Sequence, residues 1–339
     1  FQQVLQLKPT HKEVLFNLAS IMHMWELPTL AVGYIVQLLL IDSSDSIAHS
    51  FLWALYLTGL CNTATLNAYH ILANNNDIRA KTKLATITGS GLEAVSGNPA
   101  YVEQLYDEMA TKFETKLVDF LQYRGPWVMY EYLEELLYGT SSCGTSSNSG
   151  SKKGSWRILD IGCGSGLVGK VFESYIRHCG LMIGIDVSAK IAEIARNTGK
   201  YNYVLHSDLT TALKCLDYRL DMVIAADTFI YVGALGEVFS LVRDALCDEC
   251  TPNTSSSATT TATTGSVCDN TTSNSSWGGQ LLTSARFAHS NRYIDMLADK
   301  YNFDIIGRKS IILRTEETVP LPGNLFILQK ITNTCKCNK

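Results

Sequence analysis

Three aspartates, Asp160, Asp186 and Asp227, stand at or just past the ends of short apolar runs, and the first is followed by Gly162, Gly164 and Gly166. Acids at strand ends and glycines at every second position suit a ligand seated against the chain there. A carboxylate accepts hydrogen bonds from two vicinal hydroxyls at once. A turn built on glycine lets a ligand lie against the backbone. No cluster of Cys, His or acidic residues has the spacing of a metal site: Cys247 with Cys250 and Cys335 with Cys337 are the only close cysteine pairs, and neither has a second pair at zinc spacing.

The elements that must position these residues can be read around them. Arg157 to Ile161 has the pattern of a buried parallel strand, and a helix is predicted over Leu167 to His178. A strand that breaks into a glycine turn and then a helix is a nucleotide-binding crossover. Further strands are predicted over Leu181 to Ile185, Tyr201 to Leu205 and Asp221 to Ala225, alternating with helices. Acids near the carboxyl ends of such strands lie where open α/β sheets bind ligands. The dinucleotide fingerprint requires its third glycine at position 167. That residue is Leu167, which makes a nicotinamide-dependent oxidoreductase the weaker alternative.

The stretch Asp160-x-Gly162-x-Gly164-x-Gly166 resembles motif I of the class I S-adenosylmethionine-dependent methyltransferases. The resemblance implies a Rossmann-like α/β sheet ending in an antiparallel hairpin, with S-adenosyl-L-methionine as cofactor and S-adenosyl-L-homocysteine as product. It places the cofactor against Asp160, Ile161, Gly162, Cys163 and Gly164. It gives Asp186 and Val187 the ribose, Asp208 and Leu209 the adenine, and Asp227 the edge of the site. Cys163 is set by the turn's backbone rather than by nucleophilic chemistry.

Upstream, Tyr106-Asp107-x-x-Ala110-x-x-Phe113-Glu114 followed by Leu121-x-Tyr123-Arg124-x-Pro126 is similar to the opening of bacterial-type predicted methyltransferases that carry tetratricopeptide repeats. Arg286-Phe287-Ala288-His289-Ser290 matches the same group. This resemblance implies leading helices that fold over the cofactor cleft, with Tyr106 and Arg124 helping to close it. The plainer reading makes Tyr106, Met109, Phe113 and Leu117 the apolar stripe of an amphipathic helix.

Length and composition frame the rest. A chain of 339 residues implies about two domains. The segment from Leu7 recurs from Ile41, an offset of 41 − 7 = 34 residues, the tetratricopeptide period. Residues 1–75 are therefore read as an α-helical tetratricopeptide-like region, either a protein-binding groove or a cap. Residues 76–100 are a linker containing a short helix, 101–138 the leading helices, and 139–155 a Ser/Gly/Thr-rich linker. The methyltransferase domain spans 156–332, with a low-complexity insert at 250–277 that lies where a fifth strand is expected and shows none. Asn98-Pro99 is a helix cap rather than part of a base-methylation motif. Ser290 caps a helix over Asn291 to Tyr301, and Ile305 to Leu313 with Asn324 to Ile331 form the closing hairpin.

A net charge of −4 without a dense Lys/Arg run gives no reason to expect nucleic acid. The apolar run Leu27 to Ile41 is too short for a membrane span and holds Pro28 and Gln37. Scattered cysteines and the lack of a visible signal peptide point to the cytoplasm, although a chain beginning at Phe1 is expected to be a fragment. The acceptor is read as a small molecule or a protein side chain. Methyl transfer from a sulfonium needs a base only if the acceptor arrives protonated. Asp227 and His289 are the candidates for that role, His289 having a cap or packing contact as its alternative. A non-catalytic scaffold with a degenerate domain is the rival reading.

Overall fold

In a computed structural model the described residues are 1–90, 98–139, 155–177, 179–247, 258–263, 279–281, 286–316 and 319–331. The described residues fall in two compact units, residues 1–90 and those from Asn98 onward.

The first unit is helical: α1 (Gln2–Leu7), α2 (Lys12–Met24), α3 (Pro28–Ile41), α4 (Ser46–Leu57), α5 (Asn62–Asn74) and α6 (Ile78–Thr88). Helices α2 and α4 start 46 − 12 = 34 residues apart, and α3 and α5 start 62 − 28 = 34 apart. Two of the starts, those of α4 and α6, are set by side-chain caps. Asp45 accepts from the amides of Ile47 and Ala48, and Asp77 accepts from that of Ala80. Leu15, Ile35, Leu38, Leu52, Leu55 and Leu72 form the core. Residues 78–88, read as part of a linker, are helix α6, and Ala80 joins the same core. The apolar run of α3 buries Ala31, Val32, Ile35, Leu38 and Leu39 within this unit. Among the described residues no helix is long and apolar enough to cross a membrane.

The second unit opens with α7 (Pro99–Met109), a run of mixed 3-10, α and π turns from Ala110 to Phe120, and α8 (Gly125–Tyr138). Asn98 caps α7 through the Ala100 amide, with Pro99 in the first turn. The strands are β1 (Arg157–Ile161), β2 (Leu181–Asp186), β3 (Tyr203–His206), β4 (Met222–Ala226), β5 (Ala258–Thr263), β6 (Gly279–Leu281), β7 (Phe287–His289), β8 (Phe303–Glu316) and β9 (Val319–Lys330). A seven-stranded sheet runs β3-β2-β1-β4-β5-β9-β8, and β6 pairs with β7 apart from it. The first five strands are parallel, while β9 and β8 close the edge antiparallel. This is the Rossmann-like sheet with a terminal hairpin that the sequence implies.

Parallel strands bury both faces, and here alternate residues serve alternate layers. Leu159, Ile161, Val223 and Ala225 pack with Leu213, Val238 and Leu297. Those partners come from helices α9 (Leu209–Cys215), α10 (Gly236–Ala245) and α11 (Asn291–Lys300). Ile158, Met182, Met222 and Ile224 pack on the other face with Met129 and Leu133 of α8 and with Phe172. At the strands' start, the Arg157 guanidinium and amide both bond to Asp221 at 2.8 to 3.0 Å, tying β1 to the residue before β4.

Two expectations are corrected. The helix after the glycine turn breaks into Leu167–Val171 and Glu173–Ile176, because Phe172 leaves helical geometry to enter the core. The insert at 250–277 does contain the fifth strand: β5 pairs parallel with β4 and antiparallel with β9. Composition hides it because the tract has no apolar alternation, whereas ladders on both sides supply its hydrogen bonds. A strand paired on both sides has no position where proline is tolerated. Thr260→Pro is expected to cost on the order of 3 kcal/mol or more of the second unit's stability, read by chemical denaturation. A wild-type transition would show that the strand is not formed.

Candidate functional site

The sheet order reverses between β1 and β4, and ligands of open α/β sheets bind outside the carboxyl ends at such a point. The residues singled out by type converge there. Gly162, Gly164 and Gly166 all have positive φ, 69°, 54° and 88°, a conformation that side chains rarely adopt. The turn folds back on β2, with the amides of Gly162 and Cys163 donating to the Ile185 carbonyl. A Cβ on Gly162 would lie 2.4 Å from Thr228 Oγ1, so the loop after β4 seats directly on the turn. Thr228 Oγ1 in turn donates to the Ile161 carbonyl at 2.7 Å.

Asp186 reaches into the turn. Its carboxylate accepts from the Gly164 amide at 2.9 Å and from the Ser188 amide at 2.9 Å. Burial raises its pKa, and those two amide bonds oppose the rise. A carboxylate holds about four acceptor positions, so two bonds leave capacity for a pair of hydroxyls.

Asp160 is fully buried. Its Oδ2 accepts from the Tyr201 hydroxyl at 2.7 Å, and its Oδ1 has no partner. Burial pushes its pKa up to about 7, against the hydrogen bond from Tyr201. Tyr201 was read as the first residue of the third strand. It lies ahead of β3 and turns inward, where two glycines make room for it. A Cβ on Gly169 would fall 2.6 Å from the Tyr201 ring, and one on Gly184 would fall 3.1 Å from it.

Of the other candidates, Cys163 packs against Ala192, Ala195 and Val204, and burial raises its thiol pKa, as a structural cysteine requires. The Val187 carbonyl accepts from His206 Nε2 at 3.1 Å. The Asp208 carboxylate caps α9 through the Thr211 amide and also accepts from the Thr210 hydroxyl, and those bonds outweigh burial to lower its pKa; Leu209 begins the helix. Asp227 follows β4 at φ 58° and pairs with the buried guanidinium of Arg314 on β8. His289 is buried, with Nε2 at 2.9 Å from the Gly233 carbonyl and its ring stacked on Tyr293. Burial lowers its pKa.

A cover lies over the turn. Asp107 on α7 accepts from the Ser188 hydroxyl and from the Lys190 amide at 3.2 Å. Glu103 meets His206 at 3.2 Å, and Glu114 meets Lys170 at 2.7 Å. Tyr106 donates to the Tyr231 hydroxyl at 2.8 Å and meets the Phe113 ring edge-on. Phe113 comes within 3.4 Å of where a Cβ on Gly164 would be. Arg124, expected to close the cleft, is instead exposed at the start of α8; its neighbour Tyr123 is the residue turned inward. Adjacent residues at a helix start point in different directions, and the motif spacing did not distinguish them. Tyr123, Tyr201, Tyr231, Ser188 and Arg314 were all missed as site residues. Alternation gave no signal for Arg314, since it and its neighbour Leu313 are both buried beside an irregularity in β8.

The residues present fit S-adenosylmethionine. The backbone cradle admits no side chain at Gly162, the Asp186 carboxylate retains acceptor capacity, and Asp160 Oδ1 is a buried acceptor without a donor. Comparison with known proteins agrees. Residues 158–248 match the family model described as a methyltransferase domain. That segment of the chain is therefore a methyltransferase domain. No curated protein matches the sequence significantly. Among solved structures, magnesium protoporphyrin IX methyltransferase from Synechocystis PCC 6803 with bound SAM is 11% identical, with a TM-score of 0.45 over 69% of this chain and 97% of that one. The 1,6-didemethyltoxoflavin-N1-methyltransferase of Burkholderia thailandensis is 12% identical, with a TM-score of 0.45 over 68% and 89%. At that distance neither bears on the acceptor.

The Asp160 environment gives a stability prediction. Its folded pKa, about 7, lies above the ordinary 3.8, so folding favours the protonated acid. The contribution is full below about pH 3.8 and is lost as pH rises toward 7. Without ligand, Asp160→Asn should flatten the fall in stability across that window, measured by urea unfolding at a series of pH values. Parallel pH profiles for variant and wild type would count against the assigned environment.

Proposed function

We propose that this chain is an S-adenosylmethionine-dependent methyltransferase acting on a small-molecule or protein acceptor in the cytoplasm. The observation that carries the reading is the convergence, within the matched segment, of the left-handed glycine turn, Asp186 bonded into it, and Asp160 with an unpartnered oxygen. Bound S-adenosylmethionine supplies a methyl group on a sulfonium, so the leaving group is already activated.

The residues of the chain then have three tasks. Asp160, Ile161, Gly162, Cys163 and Gly164 hold the cofactor's centre, Asp186 and Val187 the ribose, and Asp208 and Leu209 the adenine side. Tyr106, Phe113 and Tyr231 exclude water from the turn, and positioning of this kind supplies much of the rate in a transfer without covalent protein chemistry. A proton must leave only if the acceptor arrives protonated. Asp227, just past the end of β4 and paired with the buried Arg314 guanidinium, is the candidate acceptor for it. His289 is neutral and committed through Nε2 to Gly233, which suits anchoring of the loop after β4.

The 34-residue spacing of helix pairs supports a tetratricopeptide-like reading of the first unit, with a protein partner as its ligand. The scaffold alternative drew on a missing fifth strand, which Ala258–Thr263 supplies. Leu167 in place of glycine continues to disfavour a nicotinamide cofactor.

Calorimetric titration with S-adenosylhomocysteine, with NADH as control, tests the reading. A dissociation constant on the order of micromolar is expected for the first and no binding for the second. Asp186→Ala should weaken S-adenosylhomocysteine by about 10-fold or more, through loss of charge-assisted hydrogen bonds. Binding of NADH alone would overturn the proposal.

A further inference from the structure

Tyr123 is 4% exposed and its hydroxyl has no hydrogen-bond partner. Buried hydroxyls are rarely left so, and each such group calls for an explanation. The ring is held firmly. It packs with Leu167, the first residue after the glycine turn, with Leu313 of β8, and with Leu117, Val118 and Trp127. The Tyr123 amide donates to the Leu117 carbonyl at 3.1 Å. The absence of a side chain at Gly125 matters as well, since a Cβ there would lie 2.5 Å from the hydroxyl oxygen. The packing therefore places the hydroxyl and does not satisfy it.

What lies around the hydroxyl identifies its ligand. The carboxylates of Asp160 and Asp227 act on it strongly enough to raise its pKa along with burial, and the Arg314 charge opposes them. The phenol thus stays protonated and is available as a donor. Asp160 Oδ1 is likewise buried without a partner, as is Ser165 Oγ within the turn, and the carboxylate oxygen can only accept when ionised. A buried donor close to a buried acceptor is the complement of an amino-acid zwitterion: the ammonium group faces the acid and the carboxylate faces the phenol. We propose that the Tyr123 hydroxyl binds the carboxylate of the cofactor's amino-acid end, beside the ammonium group held by Asp160. Tyr123 lies outside the segment that matches the methyltransferase family model, so this contact belongs to the cover built by the leading segment. The inference rests on the cofactor assignment above.

The test is a calorimetric comparison on the full chain of S-adenosylhomocysteine, its decarboxylated analogue and 5′-methylthioadenosine, with wild type and Tyr123→Phe. The substitution keeps the ring and removes the hydroxyl. It should weaken S-adenosylhomocysteine by about 10- to 100-fold, the usual worth of a hydrogen bond to a charged group. Binding of the two ligands that lack the carboxylate should not change. Without ligand, Tyr123→Phe should be as stable as wild type or more so, because an unsatisfied buried hydroxyl has been removed. Equal loss for all three ligands, or no loss for any, overturns the inference while leaving the cofactor assignment standing. A wild-type chain that binds none of the three overturns both.

Discussion

The hydrogen bond from Tyr201 to the buried Asp160 carboxyl is the constraint on which the second unit depends. Asp160 ends up at 0% exposure because β1 lies near the middle of a sheet covered on both faces. An acid in that position must find a donor or be neutralised. Tyr201 provides one at 2.7 Å, and its oxygen also accepts from the Gly169 amide at 3.0 Å. The phenol crosses Gly184 on β2 and Gly169 on the helix after the turn, two positions where any Cβ would collide or crowd. Local choices at 160, 169, 184 and 201 are thus one choice, and the glycine turn between them is fixed as a by-product.

The same end of the sheet shows how elements remote in sequence share one task. The acid that closes β2 bonds the turn after β1, a threonine after β4 seats on that turn, and an arginine from β8 pairs with the acid after β4. Each contact joins the carboxyl end of one strand to a neighbour. The aromatic cover adds Tyr106, Phe113 and Tyr231 from two further segments. These side chains meet one another over the turn, Phe113 lying within 3.4 Å of where a Cβ on Gly164 would be.

Much of this was legible in the sequence, for identifiable reasons. Glycines at 162, 164 and 166 announce themselves because only glycine takes those φ values at little cost. Strands β1, β2 and β4 read as apolar runs because both faces are buried. Asn98 and Ser290 read as caps because their side chains bond the amides of Ala100 and Tyr293. The illegible parts are those decided by neighbours. Strand β5 has no apolar signature, since the ladders that define it belong to β4 and β9. Tyr123 and Arg124 differ by one position, and spacing does not tell that the first is buried and the second exposed. Tyr201 looks like a strand residue until the space over Gly169 and Gly184 is known.

The cover is fastened unevenly. Its contacts with His206 and Lys170 are a hydrogen bond and an ion pair between half-exposed side chains, and an exposed ion pair is worth about 0–1 kcal/mol and is screened by salt. The Tyr106 to Tyr231 bond and the ring edge of Phe113 sit inward of them. An outer rim this weak can let go while the sheet and the glycine turn keep their shape. Exchange of spent cofactor then requires only a local opening, and its rate should answer to ionic strength even where the overall stability of the protein does not.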